Sequence, residues 1–307
     1  MIERQSPAKI NLHLRIAAPG ADGFHPLLSW MNTVGLFDTL KLRRGDAIAL
    51  RCDDPALPTD GRNLVVRAAE MLRRDAEANE PSRAIGGASL ELLKRIPAGG
   101  GLGGGSGNAA TTLSALNDLW SLRLPVERLH AIAATLGSDV AFFLFAPSAI
   151  CTGRGEIVRP IASPAPRRAL LVLPPIAMPT PAVYRRFDAL LADGVIAAAD
   201  LDDAQAAGRD PRSDFASWCT LSAADLLQRL VNDLEAPAFS LEPRLGELRA
   251  SLQRLLGRVV RMSGSGSTLF TLYDDPLEAD RSARVVQQSL AVPAVSVDLS
   301  PPPPDRP

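Results

Sequence analysis

The sequence is short of the features that assign a protein quickly. Its three cysteines, Cys52, Cys151 and Cys219, lie far apart and form no CxxC pair, which argues against a disulfide scaffold and against a zinc finger. Aromatic residues make up only 5% of the chain. The 33 Lys and Arg are balanced by 34 Asp and Glu, for a formal net charge of −1. That leaves no basic excess to drive binding to a phosphate backbone, so no nucleic-acid partner is expected. No apolar run reaches the roughly 18 residues of a membrane span. The opening MIERQSPAKINLHLRI has no basic segment followed by a long apolar one, so no signal peptide is expected there. A reduced, cytoplasmic protein is the expectation. The three histidines, His13, His25 and His130, are not spaced as a ligand set, and no dedicated metal cluster is visible.

What is present is globular. Hydrophobic residues are 46% and charged residues 22%, close to ordinary soluble values. The 307 residues, at roughly 100–200 residues per domain, suggest two domains, and a chain of this length can bury a core unaided. Ile10, Leu12, Leu14 and Ile16 alternate with Asn11, His13 and Arg15, which predicts a half-buried strand. Residues 19–23 form a turn cluster, and 36–42 and 47–52 read as short strands. Asn63 is placed to cap a helix carrying Leu64, Ala68, Met71 and Leu72. A strand is expected over 88–96, a helix over about 109–120, and another from Pro125 to Gly137. Prolines crowd 160–181 and mark a linker around a strand at 169–173. Beyond it, helices are expected near 182–192, 221–231, 243–256 and 276–289, and strands near 257–262, 268–273 and 294–298. Residues 194–214 read as a polar, mobile loop, with no interpretation for the stretch from Arg209 to Arg212. Pro301 opens a polyproline-like tail.

The most informative stretch is Lys94-Arg95-Ile96-Pro97-Ala98-Gly99-Gly100-Gly101-Leu102-Gly103-Gly104-Gly105-Ser106-Gly107-Asn108, in which seven of the nine residues 99–107 are glycine. It runs from a predicted strand into a predicted helix. Bare amides at the positive end of a helix dipole make an anion site, and Ser106 adds a hydroxyl. It is not a Walker A loop, because no Gly-Lys-Ser/Thr follows. Residues 99–104 fit GxGxxG, but the acidic residue about 20 positions on is Asp118, inside a predicted helix rather than at a strand end. The plain alternative is a flexible linker.

Four segments together resemble the GHMP kinase superfamily: Pro7-Ala8-Lys9-Ile10-Asn11-Leu12, the glycine loop with its lead-in, Leu136-Gly137-Ser138-Asp139-Val140, and Ser263-Gly264-Ser265-Gly266. They occur in the family's order over nearly the whole chain. Within the superfamily the sequence is most similar to the branch that phosphorylates a cytidine diphosphate-linked methylerythritol in non-mevalonate isoprenoid synthesis. The resemblance implies an α+β, two-domain GHMP kinase fold. Its N-terminal ribosomal-protein-S5-like α/β domain is expected over 1–162 and its ferredoxin-like α+β domain over 163–300, followed by the tail 301–307. It implies ATP as phosphoryl donor, Mg²⁺, a small-molecule acceptor phosphorylated on its 2-hydroxyl, and a monomer or weak homodimer with no membrane partner. A homoserine or mevalonate type of kinase, a non-catalytic nucleotide-binding module on the same fold, and a dinucleotide-dependent dehydrogenase are the alternatives.

The resemblance also implies roles. Lys9 and Asp139 are the catalytic pair, the carboxylate taking the hydroxyl proton or orienting the hydroxyl, the ammonium neutralising the transferring group. A carboxylate beside an ammonium is a weak base, so positioning and electrostatics are expected to carry most of the rate. Taken alone, Lys9 reads as solvated and Asp139 as a residue suited to a helix start. Asn63, Lys94 and the loop from Pro97 to Gly107 are the implied ATP contacts, although Lys94 alone reads as an edge-strand charge. Asn11, Phe24, His25, Thr180 and Tyr184 are the implied acceptor contacts. Phe24, standing where a tyrosine is usual, and Tyr184 would stack on the cytosine, and His25 would bond its edge; alone, His25 reads as a turn residue and Tyr184 as helix packing. Gly107 replaces a common serine, which leaves one phosphate contact to the backbone. Trp30-Met31-Asn32 leaves the pocket wall open, and residues 231–235 are expected to pack near a helix start. Ser263-Gly264-Ser265-Gly266 is either a hairpin turn or a loop shaping the cleft.

Overall fold

The structure, a computed structural model, describes residues 1–80, 85–201 and 211–301. Its first sheet is organised around one long strand. The strands β1 (Ile2–Ile16), β2 (Leu27–Gly45), β3 (Ala49–Cys52), β4 (Gly87–Leu93), β5 (Ser148–Thr152) and β6 (Ile157–Pro160) pair in the order β3-β4-β2-β5-β6, with β1 on β2. β1 runs antiparallel along β2 from Leu27 to Leu42. The other edge of β2 is divided between β5, at Ser29 to Asn32, and β4, at Thr39 to Gly45.

The short strand expected over 36–42 is therefore a 19-residue strand. Ser29, Asn32, Thr33 and Asp38 break its apolar pattern, yet all are buried. Partners offset part of the cost: Ser29 donates to the carbonyl of His13 at 3.0 Å, and Asn32 Oδ1 accepts the Ser300 hydroxyl at 2.7 Å, while Asn32 Nδ2 has no partner among the described residues. Trp30, left open as pocket wall, is a core side chain. β1 also differs from the half-buried strand expected. Lys9, Asn11 and His13 are as buried as Ile10 and Leu12. A register shift between Asn11 and His13 breaks the alternation. The second half of the chain then covers the remaining face, with Phe215 and Trp218 edge-on to the His13 ring.

Helices α1 (Leu64–Asn79), α2 (Gly104–Leu119) and α3 (Val126–Leu136), with the short α4 (Phe142–Phe145), cover one face of this sheet. Leu72, Leu113, Leu116 and Trp120 pack there on Leu40, Leu42, Leu90 and Leu92. α1 is capped by Asn63, whose side chain accepts from Val65 N. α3 runs between Pro125 and Gly137, as the sequence suggests. α2 starts five residues earlier than expected, inside the glycine run. Glycine is a poor helix former, so tertiary packing overrides propensity in this first turn.

The second sheet is antiparallel, in the order β10 (Ala294–Asp298), β7 (Arg168–Val172), β9 (Leu269–Tyr273), β8 (Arg261–Met262). Helices α5 (Thr180–Ala192), α8 (Glu235–Leu241), α9 (Pro243–Leu256) and α10 (Pro276–Leu290) pack through Val183, Phe187, Leu245, Leu252 and Val286. Helices α6 (Pro211–Trp218) and α7 (Ala223–Arg229) close a core common to both sheets. There Ile10, Leu12 and Trp30 meet Leu171, Phe270 and Leu227. Part of the loop expected over 194–214 is thus α6; residues 202–210, including Arg209, and tail residues 302–307 lie outside the described set. After β10 the chain returns to the first sheet, where Ser300 N donates to the Thr33 carbonyl at 2.8 Å and Leu299 bridges Val34.

Candidate active site

A cavity of about 450 Å³ opens between the glycine run, β1, the start of α5 and the β8–β9 turn. Lys9 reaches it from β1. Asp139 reaches it from the turn that follows α3, where Val140 N donates to Gly137 O at 3.1 Å. Lys9 Nζ lies 3.1 Å from Asp139 Oδ2, with the lysine side chain 4% exposed and the aspartate 32%. The ammonium also donates to Asn11 Oδ1, whose Nδ2 donates to Ser29 at 2.8 Å. The pair is therefore held from the lysine side and open to solvent from the carboxylate side.

The glycine run folds over this pair. Lys9 N donates to the Leu102 carbonyl at 2.9 Å. Gly103, with φ of +66°, ends the loop against the Lys9 stem, where a Cβ would lie 2.9 Å from Lys9 Cγ. Gly101 has φ of +76°, and a Cβ there would lie 2.3 Å from the Ser263 carbonyl oxygen. Only glycine fits either position. The first intrahelical bond of α2 is Gly107 N to Gly103 O at 2.8 Å. The amides of Gly104, Gly105 and Ser106 precede it and have no intrahelical acceptor. All three residues border the cavity, as do Pro97, Ala98, Gly99, Gly100, Gly101, Leu102 and Gly103. Gly107 does not: its amide is used within the helix, and a Cβ there would lie 2.8 Å from the Pro7 carbonyl.

The β8–β9 turn is both a hairpin connection and a wall of the site. Ser263 Oγ accepts from Asn11 N at 3.2 Å and donates to Gly101 O at 3.0 Å. Gly264 and Ser265 border the cavity, and Ser265 shares a hydrogen bond with Thr180 at 2.8 Å. Asn232, in the stretch expected only to pack, holds this turn by donating to the carbonyls of Met262 and Gly264, both at 2.8 Å.

On the far side of the glycine run, Asn63, Leu57, Pro58, Arg62 and Leu64 form the wall. Both ends of the Asn63 amide are already used, by Val65 N and the Pro58 carbonyl. Lys94 also borders the cavity and is paired with the fully buried Asp38. On the opposite side stand Asn11, Thr180 and Tyr184, with Met178 and Leu234. Burial, with the Asp139 charge adding, pushes the Tyr184 phenol up to about 12, so it remains a neutral donor.

Phe24 and His25 are outside the cavity lining. Phe24 is exposed, with the Arg154 guanidinium 3.8 Å over its ring. His25 stands beside Tyr184, ring centroids 5.3 Å apart. Its Nδ1 is 3.0 Å from the Ala17 carbonyl and its Nε2 is 3.1 Å from Asp188 Oδ1, so both ring nitrogens are engaged within the chain.

Sequence reasoning passed over Asp38, Ser29, Asn108, Ser263 as a bridging hydroxyl, and Arg62. A charge in the middle of an apolar strand was the available signal for Asp38. Among the described residues, no group of three or more His, Cys, Asp or Glu is placed to hold a metal ion. Asp139 and the Ser106 hydroxyl are oxygen donors on one cavity. That sparse set fits Mg²⁺, which takes few protein ligands and fills its sphere with water and phosphate oxygens. No helix among the described residues is long and apolar enough to cross a membrane.

Comparison with known proteins bears on this arrangement. Residues 63–146 match the family model described as GHMP kinases N terminal domain, and residues 212–292 match GHMP kinases C terminal. The chain is 36% identical to a 4-diphosphocytidyl-2-C-methyl-D-erythritol kinase of Prochlorococcus marinus, over 96% of this chain and 92% of that one. It is 35% identical to the protein of that name from Shouchella clausii, over 90% and 87%. A crystal structure of 4-(cytidine 5'-diphospho)-2C-methyl-D-erythritol kinase superposes with a TM-score of 0.73 at 34% identity, covering 98% of this chain and all of that one. A homoserine kinase from Cytophaga hutchinsonii, 18% identical, shares the fold with a TM-score of 0.67 over 98% of this chain and 94% of its own.

Proposed function

Because the chain belongs to the 4-diphosphocytidyl-2-C-methyl-D-erythritol kinases of the GHMP kinase superfamily, we propose that its cavity performs that transfer with Lys9 and Asp139 as the reacting pair. The enzyme phosphorylates the 2-hydroxyl of 4-diphosphocytidyl-2-C-methyl-D-erythritol from ATP, a step of non-mevalonate isoprenoid synthesis. The observation that carries the residue assignment is the 3.1 Å Lys9–Asp139 pair beneath a glycine loop that opens a helix.

The chemistry follows from the chain's own groups. Phosphoryl transfer is governed by alignment and charge neutralisation. The amides of Gly104, Gly105 and Ser106, at the positive end of α2, receive the phosphates, and Lys94 adds a cation beside them. Asp139 bonds the attacking hydroxyl and takes its proton, while Lys9 places positive charge next to the transferring group. Mg²⁺, which the Ser106 hydroxyl would help to hold, would supply charge neutralisation. Leu57, Leu64 and Asn63 form the wall for the adenine. Asn11 and Thr180 bond the acceptor, and Tyr184 stacks on its cytosine. For His25, beside Tyr184, to bond the base edge it must give up Asp188 or the Ala17 carbonyl, and Phe24 must leave Arg154 to stack.

The test is acceptor choice. Purified protein is given ATP with the cytidine diphosphate acceptor, homoserine or mevalonate in turn, and ADP release is followed. Turnover is expected with the first alone. Comparable kcat/KM with homoserine or mevalonate overturns the assignment.

A further inference from the structure

Asp38 sits midway along β2, is fully buried and contributes nothing to the cavity wall. Its two carboxylate oxygens receive four donors. Oδ1 accepts the amides of Arg95 at 2.7 Å and Ile96 at 2.9 Å. Oδ2 accepts Lys94 Nζ and the Asn108 side-chain amide, the latter at 2.9 Å. A carboxylate has about four acceptor sites, and all are used. Arg95 and Ile96 are the last residues before the glycine loop, and Asn108 lies in the second turn of the helix into which it opens. One carboxylate thus fastens both stems of the loop. It also holds the lysine whose ammonium lies 3.4 Å from where a Gly104 Cβ would be, beside the first turn of α2.

A buried ion pair seldom adds net stability over an apolar pair of equal volume. Its worth here is geometric. The loop from Pro97 to Gly103 carries four glycines, and glycine has the largest conformational freedom to lose on ordering. Fixing its two ends to one point removes part of that loss before the ligand arrives.

We propose that Asp38 is the positioning residue of the nucleotide half of the site, setting the span of the glycine loop and aiming Lys94 at the phosphates of ATP. This rests on the reading of the loop and Lys94 as the seat of ATP. Asp38 makes no direct hydrogen bond to Thr180 or Tyr184, which hang from α5. Its effect is therefore expected to fall more heavily on ATP than on the acceptor, whereas a residue that only supports the fold would affect both substrates alike.

The experiment compares steady-state kinetics of Asp38→Asn, Lys94→Met and the double variant, with folding followed by circular dichroism. The Asp38→Asn side chain keeps an oxygen for the two backbone amides but turns an NH₂ toward Lys94 and Asn108. The ATP KM of Asp38→Asn is expected to rise by about tenfold or more while the acceptor KM stays within about threefold. Adding Lys94→Met to it is expected to change the ATP KM little further, because the two act as a unit. A folded Asp38→Asn with unchanged ATP KM, or with both KM values raised alike, or effects of the two substitutions that simply multiply, overturns the proposal. If Asp38→Asn fails to fold with the ammonium left unpaired, the double variant, which lacks that charge, is compared with Lys94→Met. A higher ATP KM in the double variant supports the role, and equal values refute it. Lys94→Met with a normal ATP KM refutes the seat assigned to Lys94, and is read separately from the Asp38 result.

Discussion

Ser263 donates its hydroxyl to the carbonyl of Gly101 at 3.0 Å, across 162 residues of sequence. The same oxygen accepts the Asn11 amide, so one hydroxyl joins β1, the glycine loop and the β8–β9 turn. Ser263→Ala leaves the Asn11 amide without that partner. It is expected to cost about 1–3 kcal/mol of stability, measured by urea unfolding, and to lower kcat/KM for both substrates.

Asp139→Asn and Lys9→Met remove the charges beside the transferring group. Each is expected to lower kcat by about a hundredfold or more, with ATP binding largely kept because the amides of α2 are untouched. Binding of a fluorescent ATP analogue and single-turnover rates check both halves of this statement. Near-normal turnover in Asp139→Asn removes the carboxylate from the chemistry.

Gly101→Ala places a methyl group 2.3 Å from the Ser263 carbonyl oxygen at φ of +76°. Positive φ alone costs a non-glycine residue about 1–2 kcal/mol, and the contact adds to it. The loop must shift, and the ATP KM is expected to rise at least about tenfold in initial-rate assays.

Tyr184 separates stacking from hydrogen bonding. Tyr184→Phe keeps the ring, and Tyr184→Ala removes it. Base stacking is worth about 1–3 kcal/mol, so the alanine variant is expected to raise the acceptor KM by about tenfold to a hundredfold. The phenylalanine variant should stay near wild type. With its phenol held near 12, Tyr184 should contribute no limb to the pH–rate profile below about pH 10.

His13 gives the stability a pH dependence of known sign. Burial, followed by the charges of Arg15 and Arg261, lowers its imidazole from 6.5 to about 4. As pH falls, the unfolded chain binds this proton first, so stability present above about 6.5 is lost progressively toward 4. The full loss is about 3 kcal/mol. Glu235, pushed up by burial, works in the opposite direction. Urea unfolding of His13→Gln beside the parent, at about pH 7.5 and 5, isolates the histidine: the parent is expected to lose more than the variant.

Much of the architecture was readable because it rests on local rules. Asn63 capping α1 and Pro125 and Gly137 bounding α3 are written in residue type, whereas Gly257, placed at the start of a strand expected over 257–262, instead ends α9, and the strand is only Arg261–Met262. What escaped depends on long-range partners. Nothing local says that Leu27 to Gly35 continues β2, because the partners of Ser29 and Asn32, at His13 and Ser300, come from distant segments. Nor does periodicity reveal the register shift near Leu12 or the early start of α2. Lys9 and Asp139 were legible only as members of a joint pattern, since each alone looks ordinary. Phe24 and His25 were legible as an aromatic pair, but the Asp188 and Arg154 contacts that occupy them come from distant segments.

The return of Leu299 and Ser300 to Thr33 and Val34 bears on biosynthesis. A ribosome delivers β2 long before those closing residues emerge, and Ser263 also arrives late. The β2 edge at Thr33 and the loop at Gly101 stay unsealed until residues 299–300 and 263 have followed. Closure of both therefore depends on contacts of high sequence separation, and chains that lack the later segment expose an unpaired strand edge open to association.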